Sequence, residues 1–348
     1  MTPRRAVLIG LGMVADTHAL ALRDASGAKL HGVWARSTDK ARAFAARHGG
    51  PRVYGSLDDI AGDTDLDFAI VLTPPDARLP IVRALVSAGL PVLMEKPIER
   101  DAARATRIVE LCEAAGLPCG VTLQHRMRPA ACALRQQLGA QALGRIGTVD
   151  IRVPWWRDQS YYDAPGRGTY DRDGGGVLIT QAIHTLDLAL DLCGPVASVQ
   201  AMIATSSLHD LEAEDFATAG LRFANGAAGA LMAATTQFPG GAETITINAE
   251  HASATLTGDS LDIHWRDGRV DRIGAASATG GGADPMAFTH AWHQAVIEDF
   301  ARALDEGRPP AITGRSALAV HRVIDAIVAS SRSGTRIDLT TPPQGDPT

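Results

Sequence analysis

One lysine and one histidine stand out as residues whose type and setting could support proton transfer and charge stabilisation. Lys96 lies in Glu95-Lys96-Pro97, after a short apolar run, and the proline that follows restricts its backbone. His184 lies in a helical pattern after Gly174-Gly175-Gly176, with Thr180 and Gln181 at spacings that can turn all three side chains towards one site. An imidazole can accept a proton near neutral pH, and an ammonium can stabilise developing negative charge. Taken alone, a helix histidine is more often structural and a turn lysine more often solvated.

The first glycine-rich turn of the chain predicts a dinucleotide site. The apolar run 6–9 is typical of a strand buried on both faces, and Gly10-x-Gly12-x-x-Ala15 leads from it into a helical pattern. The first glycine permits the turn, the second lets a pyrophosphate approach the backbone, and Ala15 allows close packing of the helix. The helix N-terminus then offers amides to phosphate. The residues expected at the cofactor are Gly10, Leu11, Gly12, Met13 and Val14.

Strand and helix patterns alternate through the N-terminal half. Strand-like runs occur at 29–34, 66–72, 91–94 and 118–123, and helical patterns lie between them at 37–48, 76–88 and 101–115. Such alternation predicts an α/β fold in which residues 1–123 form an NAD(P)-binding Rossmann domain with a doubly wound parallel sheet.

The C-terminal half has a different pattern. Strand-like segments dominate from residue 146, Asn225-Gly226 is typical of a hairpin turn, and two long helices are predicted at 286–306 and 314–331. We therefore expect residues 124–348 to form an α+β substrate-binding and oligomerisation domain with a large, mainly antiparallel open sheet. The proline-rich tail from Thr340 is expected to be frayed.

The end of the second strand bears on the choice of cofactor. An NAD enzyme usually has an acidic residue there, whereas this chain has Ala35, followed by Arg36, Ser37 and Thr38. A guanidinium and two hydroxyls would suit a 2′-phosphate, so the sequence favours NADP(H) and leaves NAD(H) possible. The alternative is a solvent-exposed segment in which Ser37 or Thr38 caps a helix. Further cofactor contacts are expected after the next two strands, at Thr73, Pro74, Pro75, Asp76, Glu95 and Lys96.

Composition excludes several classes of protein. A chain of 348 residues is long enough for two domains, and its net charge of −6 without a basic block argues against nucleic acid or an anionic membrane as partner. The four cysteines lack CxxC spacing and are typical of a reduced, cytoplasmic protein. No apolar run is long enough to span a bilayer. The eleven histidines show no metal-ligand spacing, so no metal is expected.

Together these motifs resemble the Gfo/Idh/MocA oxidoreductase family, and the resemblance covers nearly the whole chain. It rests on the Gly10 motif, Thr73-Pro74, Glu95-Lys96-Pro97 and the run from Gly174 through His184 to Asp187, in the family's order. The resemblance implies that Lys96 lies beside the nicotinamide and the substrate, and that His184 is the acid/base. It also implies a cofactor or substrate contact from Gln124, and a homodimer or homotetramer formed through the C-terminal sheet.

A narrower resemblance concerns the substrate. Trp155-Trp156-Arg157 with Tyr161-Tyr162, and Gly166-Arg167-Gly168-Thr169-Tyr170, resemble the branch that oxidises nucleotide sugars such as UDP-N-acetylglucosamine derivatives. Gly166 and Tyr170 replace tryptophans of that pattern, Thr180 stands where many members have Asp or Asn, and Arg78 stands where histidine is frequent. Aromatic faces suit sugar rings, and guanidinium groups suit phosphate or carboxylate. The expected substrate contacts are Arg126, Trp155, Arg157, Tyr161, Tyr162, Arg167, Thr180, Gln181 and His184.

The reaction predicted from these residues is hydride transfer between nicotinamide and a hydroxyl-bearing carbon of a sugar, with His184 as base and Lys96 as electrostatic partner. Thr180, Gln181 and Asp187 are candidates for orienting His184, although Asp187 could equally be structural. Packing beneath a loop is the alternative for the two tyrosines. The alternatives for function are a cyclitol or free-monosaccharide dehydrogenase, a hydrolase with tightly held NAD, and a non-catalytic NAD(P)-binding sensor. Retention of both Lys96 and His184 argues against the sensor.

Overall fold

The structure is a computed structural model that describes residues 2–275, 279–282 and 284–339. The proline-rich tail from Thr340 lies outside the described residues, so its predicted fraying is not tested. None of the helices in the described ranges combines the length and the apolarity that crossing a membrane requires.

Strands and helices alternate as far as Thr122, after which strands predominate. The helices are α1 Ala15–Asp24, α2 Thr38–Arg47, α3 Leu57–Ala61, α4 Arg78–Ser87, α5 Ala102–Ala114, α6 Pro129–Gly139, α7 Gln159–Tyr162, α8 Ile183–Cys193, α9 Ala291–Glu306 and α10 Gly314–Ser333. The strands are β1 Arg4–Ile9, β2 Ala28–Trp34, β3 Arg52–Val53, β4 Phe68–Val71, β5 Val92–Glu95, β6 Cys119–Thr122, β7 Ile146–Pro154, β8 Val196–Ala204, β9 Phe216–Phe223, β10 Ala228–Ala234, β11 Thr244–Ala249, β12 Ala252–Thr257, β13 Ser260–Trp265, β14 Val270–Gly274 and β15 Ile337–Asp338.

The N-terminal sheet confirms the predicted Rossmann fold. Its six strands are parallel and lie in the order β3-β2-β1-β4-β5-β6, so the strand order reverses between β1 and β4. Residues of β1 and β4 such as Leu8 and Ile70 are fully buried, as expected for strands covered on both faces. Ligands of such sheets bind outside the carboxyl ends of the strands at the reversal, which here are the turns after β1 and β4.

The C-terminal sheet is large and mainly antiparallel, as predicted. Its nine strands lie in the order β14-β13-β12-β11-β7-β10-β9-β8-β15, and within it only β7 and β10 pair in parallel. Side chains alternate along β11, where Ile245 and Ile247 are buried while Thr246 and Asn248 are not. Asn225-Gly226 forms the turn between the antiparallel strands β9 and β10, with Gly226 at φ +91°.

The two compact units of the chain do not correspond to a single cut after residue 123. One unit comprises the described residues within 1–124 and 289–318, and the other comprises those within 125–288 and 319–348. Segment 289–318 belongs with the Rossmann sheet because Phe300 of α9 packs against Phe68 at 5.4 Å, and Val121 donates to the Ile312 carbonyl. The apolar face of α9 thus packs within the Rossmann unit, against α1, β2 and β6.

Two helix predictions differ from the structure in detail. The helix expected at 286–306 begins only at Ala291, and the pattern at 76–88 divides into a 3-10 turn, Pro75–Ala77, followed by α4.

The helix that carries His184 begins with a π-helical turn, Leu178–Ala182, before α8. A π-helix has more residues per turn than an α-helix, so the spacing argument for Thr180, Gln181 and His184 holds only approximately.

Candidate active site

The glycine turn after β1 lies directly against the turn after β4. Gly10 has φ +93°, and a Cβ at this position would lie 2.9 Å from the backbone nitrogen of Thr73. Gly12 has the opposite surroundings, since an added Cβ would meet nothing within 4 Å among the described residues. The first glycine therefore lets the two turns meet, and the second leaves space beside the N-terminus of α1, where a pyrophosphate would fit.

The end of β2 presents the three residues predicted to select the cofactor. The Gly10 amide donates to the Trp34 carbonyl, which holds the end of β2 beside the glycine turn. Arg36, Ser37 and Thr38 are all exposed, and Arg36 has no ion pair within the described ranges. The Ser37 hydroxyl caps α2 by accepting from the Lys40 amide at 3.3 Å. Ser37 thus takes the capping role weighed above, whereas Arg36 remains available to a ligand.

A buried carboxylate precedes Lys96. Glu95 accepts from His18 Nε2 at 2.8 Å and, through its other oxygen, from the Lys96 amide at 3.1 Å. Burial by itself would raise the pKa of Glu95, but the His18 hydrogen bond and nearby charge hold it below its ordinary value. The Lys96 side chain is half-buried. Glu95 is therefore placed to fix the backbone of Lys96. Both oxygens of its buried carboxylate have partners within the protein, which indicates a structural role for Glu95 instead of a direct cofactor contact.

Arg78 connects the turns after β4 and β5, a role that was not predicted from the sequence. Its guanidinium is buried and donates to the carbonyls of Thr73, at 2.8 and 3.0 Å, and of Glu95 and Pro97. Burial lowers the pKa of Arg78 to about 10, and the charge of Glu95 opposes that shift. The two predicted cofactor turns are thus fixed to each other by one side chain.

His18, Glu95 and His293 form the one group in the described ranges whose donors are close enough to suggest a metal ion, since their ligand atoms lie within 4.8 Å of one another. Sequence spacing did not indicate this cluster because its members come from α1, β5 and α9. His18 Nε2 lies 2.8 Å from Glu95 Oε1, His293 Nε2 lies 3.7 Å from the same oxygen, and all three side chains are buried. His18 thus supports the Glu95 carboxylate by a hydrogen bond, with His293 beside it.

In the other unit, the glycine run accommodates a neighbouring chain segment. A Cβ on Gly176 would lie 1.7 Å from the Glu214 carbonyl oxygen. The Glu214 carboxylate accepts from the amides of Gly176 and Leu178, both at 3.1 Å, at the start of the π-helical turn. Burial raises the pKa of Glu214 although these amides oppose the shift. The glycines therefore let Glu214 cap the helix that carries His184.

Several predicted substrate residues form a hydrogen-bonded chain that leads into this helix. Arg167 donates to the Tyr161 hydroxyl at 2.7 Å, and Gln181 Nε2 lies 3.4 Å from the same oxygen. Thr180 donates to the Gly176 carbonyl at 2.6 Å and lies against the Gln181 side-chain oxygen. Tyr161 and Arg167 are half-buried, so this chain keeps partly accessible groups next to the His184 helix.

Other predicted substrate residues form hydrogen bonds or ion pairs with buried groups of the same unit. Arg126 pairs with Asp187 at 2.5 Å, which gives Asp187 the structural role weighed above. Burial raises the pKa of Asp187, and Arg126 opposes that shift. Arg157 donates to the carbonyls of Trp156, Gly280 and Gly282, while the hydroxyl of the buried Tyr162 bonds Thr235. These side chains therefore stabilise the fold of the unit.

The imidazole of His184 stacks on that of His125, with ring centroids 4.8 Å apart and planes inclined by 25°. Both side chains are buried, at 7% and 3% relative exposure. Sequence reasoning missed His125, although it lies between two predicted ligand residues, Gln124 and Arg126.

A Rossmann unit with a glycine turn, a basic exposed segment after β2 and a lysine at the end of β5 defines a dinucleotide-dependent oxidoreductase. Comparison with known families gives the same class. The oxidoreductase family model with the NAD-binding Rossmann fold, GFO/IDH/MocA, matches residues 4–123, and the GFO/IDH/MocA C-terminal domain matches 132–255. The chain belongs to the Gfo/Idh/MocA family, which confirms the predicted family and the prediction of an NAD(P)-dependent enzyme.

Individual relatives match over most of their length. Protein y4oX of Sinorhizobium fredii is 30% identical over 79% of this chain and 77% of its own, and D-apiose dehydrogenase of Paraburkholderia graminis is 26% identical over 96% and 89%. Among solved structures, the WlbA dehydrogenase of Chromobacterium violaceum, in complex with NADH and UDP-GlcNAcA, has a TM-score of 0.84 and 29% identity over 98% of both chains. This neighbour agrees with the predicted nucleotide-sugar branch.

Proposed function

We propose that this protein is an NAD(P)-dependent dehydrogenase that oxidises a hydroxyl-bearing carbon of a sugar derivative, and that the sugar is carried on a nucleotide. The observation that supports the substrate class is the chain Arg167–Tyr161–Gln181–Thr180, which leads into the helix of His184. It offers an aromatic face, a guanidinium and an amide, the groups that suit a sugar ring and an anionic substituent. The similarity to WlbA over the whole chain supports the same class.

Each proposed catalytic residue has one task. The nicotinamide, when bound, supplies the hydride acceptor for oxidation. His184 accepts the proton of the substrate hydroxyl, and the helix cap from Glu214 and the ring of His125 hold it in place. Lys96 supplies a cation for the charge that develops on the substrate oxygen, and Glu95 and Arg78 fix its backbone.

The cofactor is held, in this proposal, by the turns after β1, β2 and β4. The exposed Arg36 and the absence of an acidic residue at position 35 favour NADP(H) over NAD(H), because a guanidinium pairs with a 2′-phosphate. Thr38 is exposed beside it, whereas Ser37 caps α2.

A substrate panel tests the proposal. Reduction of NADP⁺ and NAD⁺ by the purified protein would be recorded with UDP-sugars, with the corresponding free sugars and with inositols. The proposal predicts turnover with at least one nucleotide sugar and a kcat/KM at least tenfold lower for the free sugar, about 1.4 kcal/mol of lost binding. Equal or higher kcat/KM with free sugars or inositols would favour the second candidate, a free-sugar or cyclitol dehydrogenase, which the match to D-apiose dehydrogenase supports.

A further inference from the structure

A buried network in the C-terminal unit links Trp155, one of the predicted substrate residues, to the ring of His184. We call it the Arg128 network, and it consists of Trp155, Glu243, Arg128, His125 and His184. Trp155 Nε1 donates to one Glu243 oxygen at 3.2 Å, and Arg128 pairs with the other at 2.6 Å. The second terminal nitrogen of Arg128 lies 2.6 Å from His125 Nε2. None of the five side chains is more than 7% exposed.

The contact between Arg128 and His125 determines where the proton of His125 lies. A guanidinium carries only donors and keeps its proton at any pH of interest. His125 Nε2 must therefore accept, which leaves its single proton on Nδ1 and opposes the uptake of a second one. A protonated His125 would turn an N–H towards the guanidinium and would add a second positive charge in a buried place.

This protonation state has a consequence for His184. Two stacked imidazoles that can both titrate share their protons in coupled steps that belong to the pair. With His125 fixed as a neutral ring, His184 is the one ring of the pair that remains to exchange a proton. The neighbouring ring also restricts the plane of His184, because rotation of either ring would break the stack at 4.8 Å.

We propose that His125 is a positioning residue for His184, and that Arg128 holds it neutral and in one tautomer so that His184 is the single proton acceptor of the unit's reaction. This inference rests on the proposed function, since it assigns His184 to acid/base chemistry. The Arg128 network also connects His125 to Trp155, through Arg128 and Glu243.

A purely structural role for the network would give a different result in a titration. Arg128 and Glu243 neutralise each other's charge. If this ion pair only stabilised the fold, His125 could be neutral or protonated beside it. The two interpretations separate when the histidines are observed directly by NMR in protein labelled with ¹⁵N-histidine, with signals assigned from His125→Asn and His184→Asn. This measurement requires no substrate.

The proposal predicts that His125 keeps its Nδ1–H tautomer, without titrating, from about pH 5 to about pH 8, while the ¹⁵N signals of His184 show a single titration step. In the double variant Arg128→Met/Glu243→Gln, which removes both buried charges together, His125 is expected to begin to titrate in the same range. A wild-type His125 that titrates there, or that carries its proton on Nε2, would overturn the proposal.

Kinetics provide the second readout. His125→Asn removes the ring, and we expect kcat to fall at least tenfold, with a changed pH profile and an unchanged KM for the nicotinamide cofactor. His125→Phe keeps a flat ring against His184 and is expected to recover part of the lost kcat. Equal losses in both variants with unmoved pH profiles would show that the ring does not act through His184. If no substrate supports turnover by the wild type, the proposed function fails, and the NMR titration still decides the protonation state of His125.

Discussion

Among single residues, His293 is the side chain whose burial has the clearest energetic consequence. Burial lowers the pKa of His293 to about 3, and the electrostatic interaction with His18 acts in the same direction. Glu95 opposes the shift, while Lys96 and His290 reinforce it. His293 is therefore neutral in the folded protein, whereas the unfolded chain takes up a proton near pH 6.5.

A pH-dependent loss of stability follows for the nucleotide unit. As pH falls from about 6.5 towards 3, only the unfolded state gains this proton, so the free energy of unfolding decreases by up to about 1.4 kcal/mol per pH unit. Urea denaturation at several pH values should show a shallower pH dependence for His293→Gln than for the wild type over this range. His264→Gln, at an exposed position of β13, is the matched control. Parallel curves for His293→Gln and the wild type would contradict the assignment.

Arg36 is the residue on which the cofactor proposal depends. It is exposed and has no ion pair within the described ranges, so its removal costs little stability. We expect Arg36→Ala to weaken NADP(H) binding by about tenfold or more, the loss of one charge-assisted contact, and to leave NAD(H) binding nearly unchanged. Fluorescence titration with NADPH and with NADH measures the two dissociation constants for the wild type and the variant. Arg42→Ala removes the same charge from an exposed position of α2 and should change neither affinity. Tighter binding of NAD(H) than NADP(H), unaffected by Arg36→Ala, would overturn the preference.

At the scale of elements, the helix of His184 depends on a close approach between two backbones. Gly176→Ala would place a methyl group 1.7 Å from the Glu214 carbonyl oxygen, so one of the two segments must move. We expect a loss of about 3 kcal/mol or more in the free energy of unfolding, together with reduced activity, because the Glu214 cap is displaced. Gly139→Ala, where a Cβ meets nothing within 4 Å among the described residues, should be close to neutral. Similar stability of both variants in urea denaturation would contradict this account.

The same helix shows what the sequence could and could not predict. The Gly174-Gly175-Gly176 run, the helical pattern and His184 were all visible as local features. The residue that caps the helix was not, because Glu214 lies 36 positions beyond Leu178 and reaches it only through the fold. The π-helical turn was also beyond a periodicity argument, since it changes the number of residues per turn over five positions.

Elements of the nucleotide unit were predictable for a related reason. In β1 and β4 the sequence shows a continuous apolar run, and the turn after each carries its expected ligand residues locally, as at Gly10 and Thr73. The two-residue strand β3 and the short helix α3 have no such run, and the sequence did not predict them. Contacts that join separate turns were not predictable. Arg78 meets carbonyls on two turns, and His293 joins Glu95 across 198 positions of the sequence, so no local spacing indicated either.

At the scale of the whole molecule, the predicted homo-oligomer depends on the exposed face of the nine-stranded sheet. One face of its central strands β7, β10 and β11 buries residues such as Ile151, Leu231 and Ile247. The opposite face carries small or polar side chains that are exposed or half-buried, among them Ala230 and Thr246. This face of small and polar side chains includes the Arg152–Asp150 ion pair of β7, and a second copy of the sheet could cover it in a symmetric oligomer.

We therefore predict a dimer or tetramer formed through this face. Ala230→Arg would place a long charged side chain in the middle of the face and should shift the protein towards monomer by size-exclusion chromatography with light scattering. Ala43→Arg, at an exposed position of α2, introduces the same side chain in the other unit and should not change the mass. A wild-type monomer at micromolar concentration would rule out this interface.

In the proposed function, Lys96 and His184 carry out dehydrogenation of a nucleotide sugar with a nicotinamide cofactor. The most direct test is the rate of cofactor reduction with the best UDP-sugar of the panel. It would be measured for the wild type, for Lys96→Ala and His184→Ala, and for the exposed controls Lys40→Ala and His264→Ala. We predict that kcat falls by about 10²–10⁴-fold in each of the two variants and remains unchanged in the controls, with cofactor affinity of His184→Ala close to that of the wild type. Near-wild-type turnover by both Lys96→Ala and His184→Ala would contradict the account.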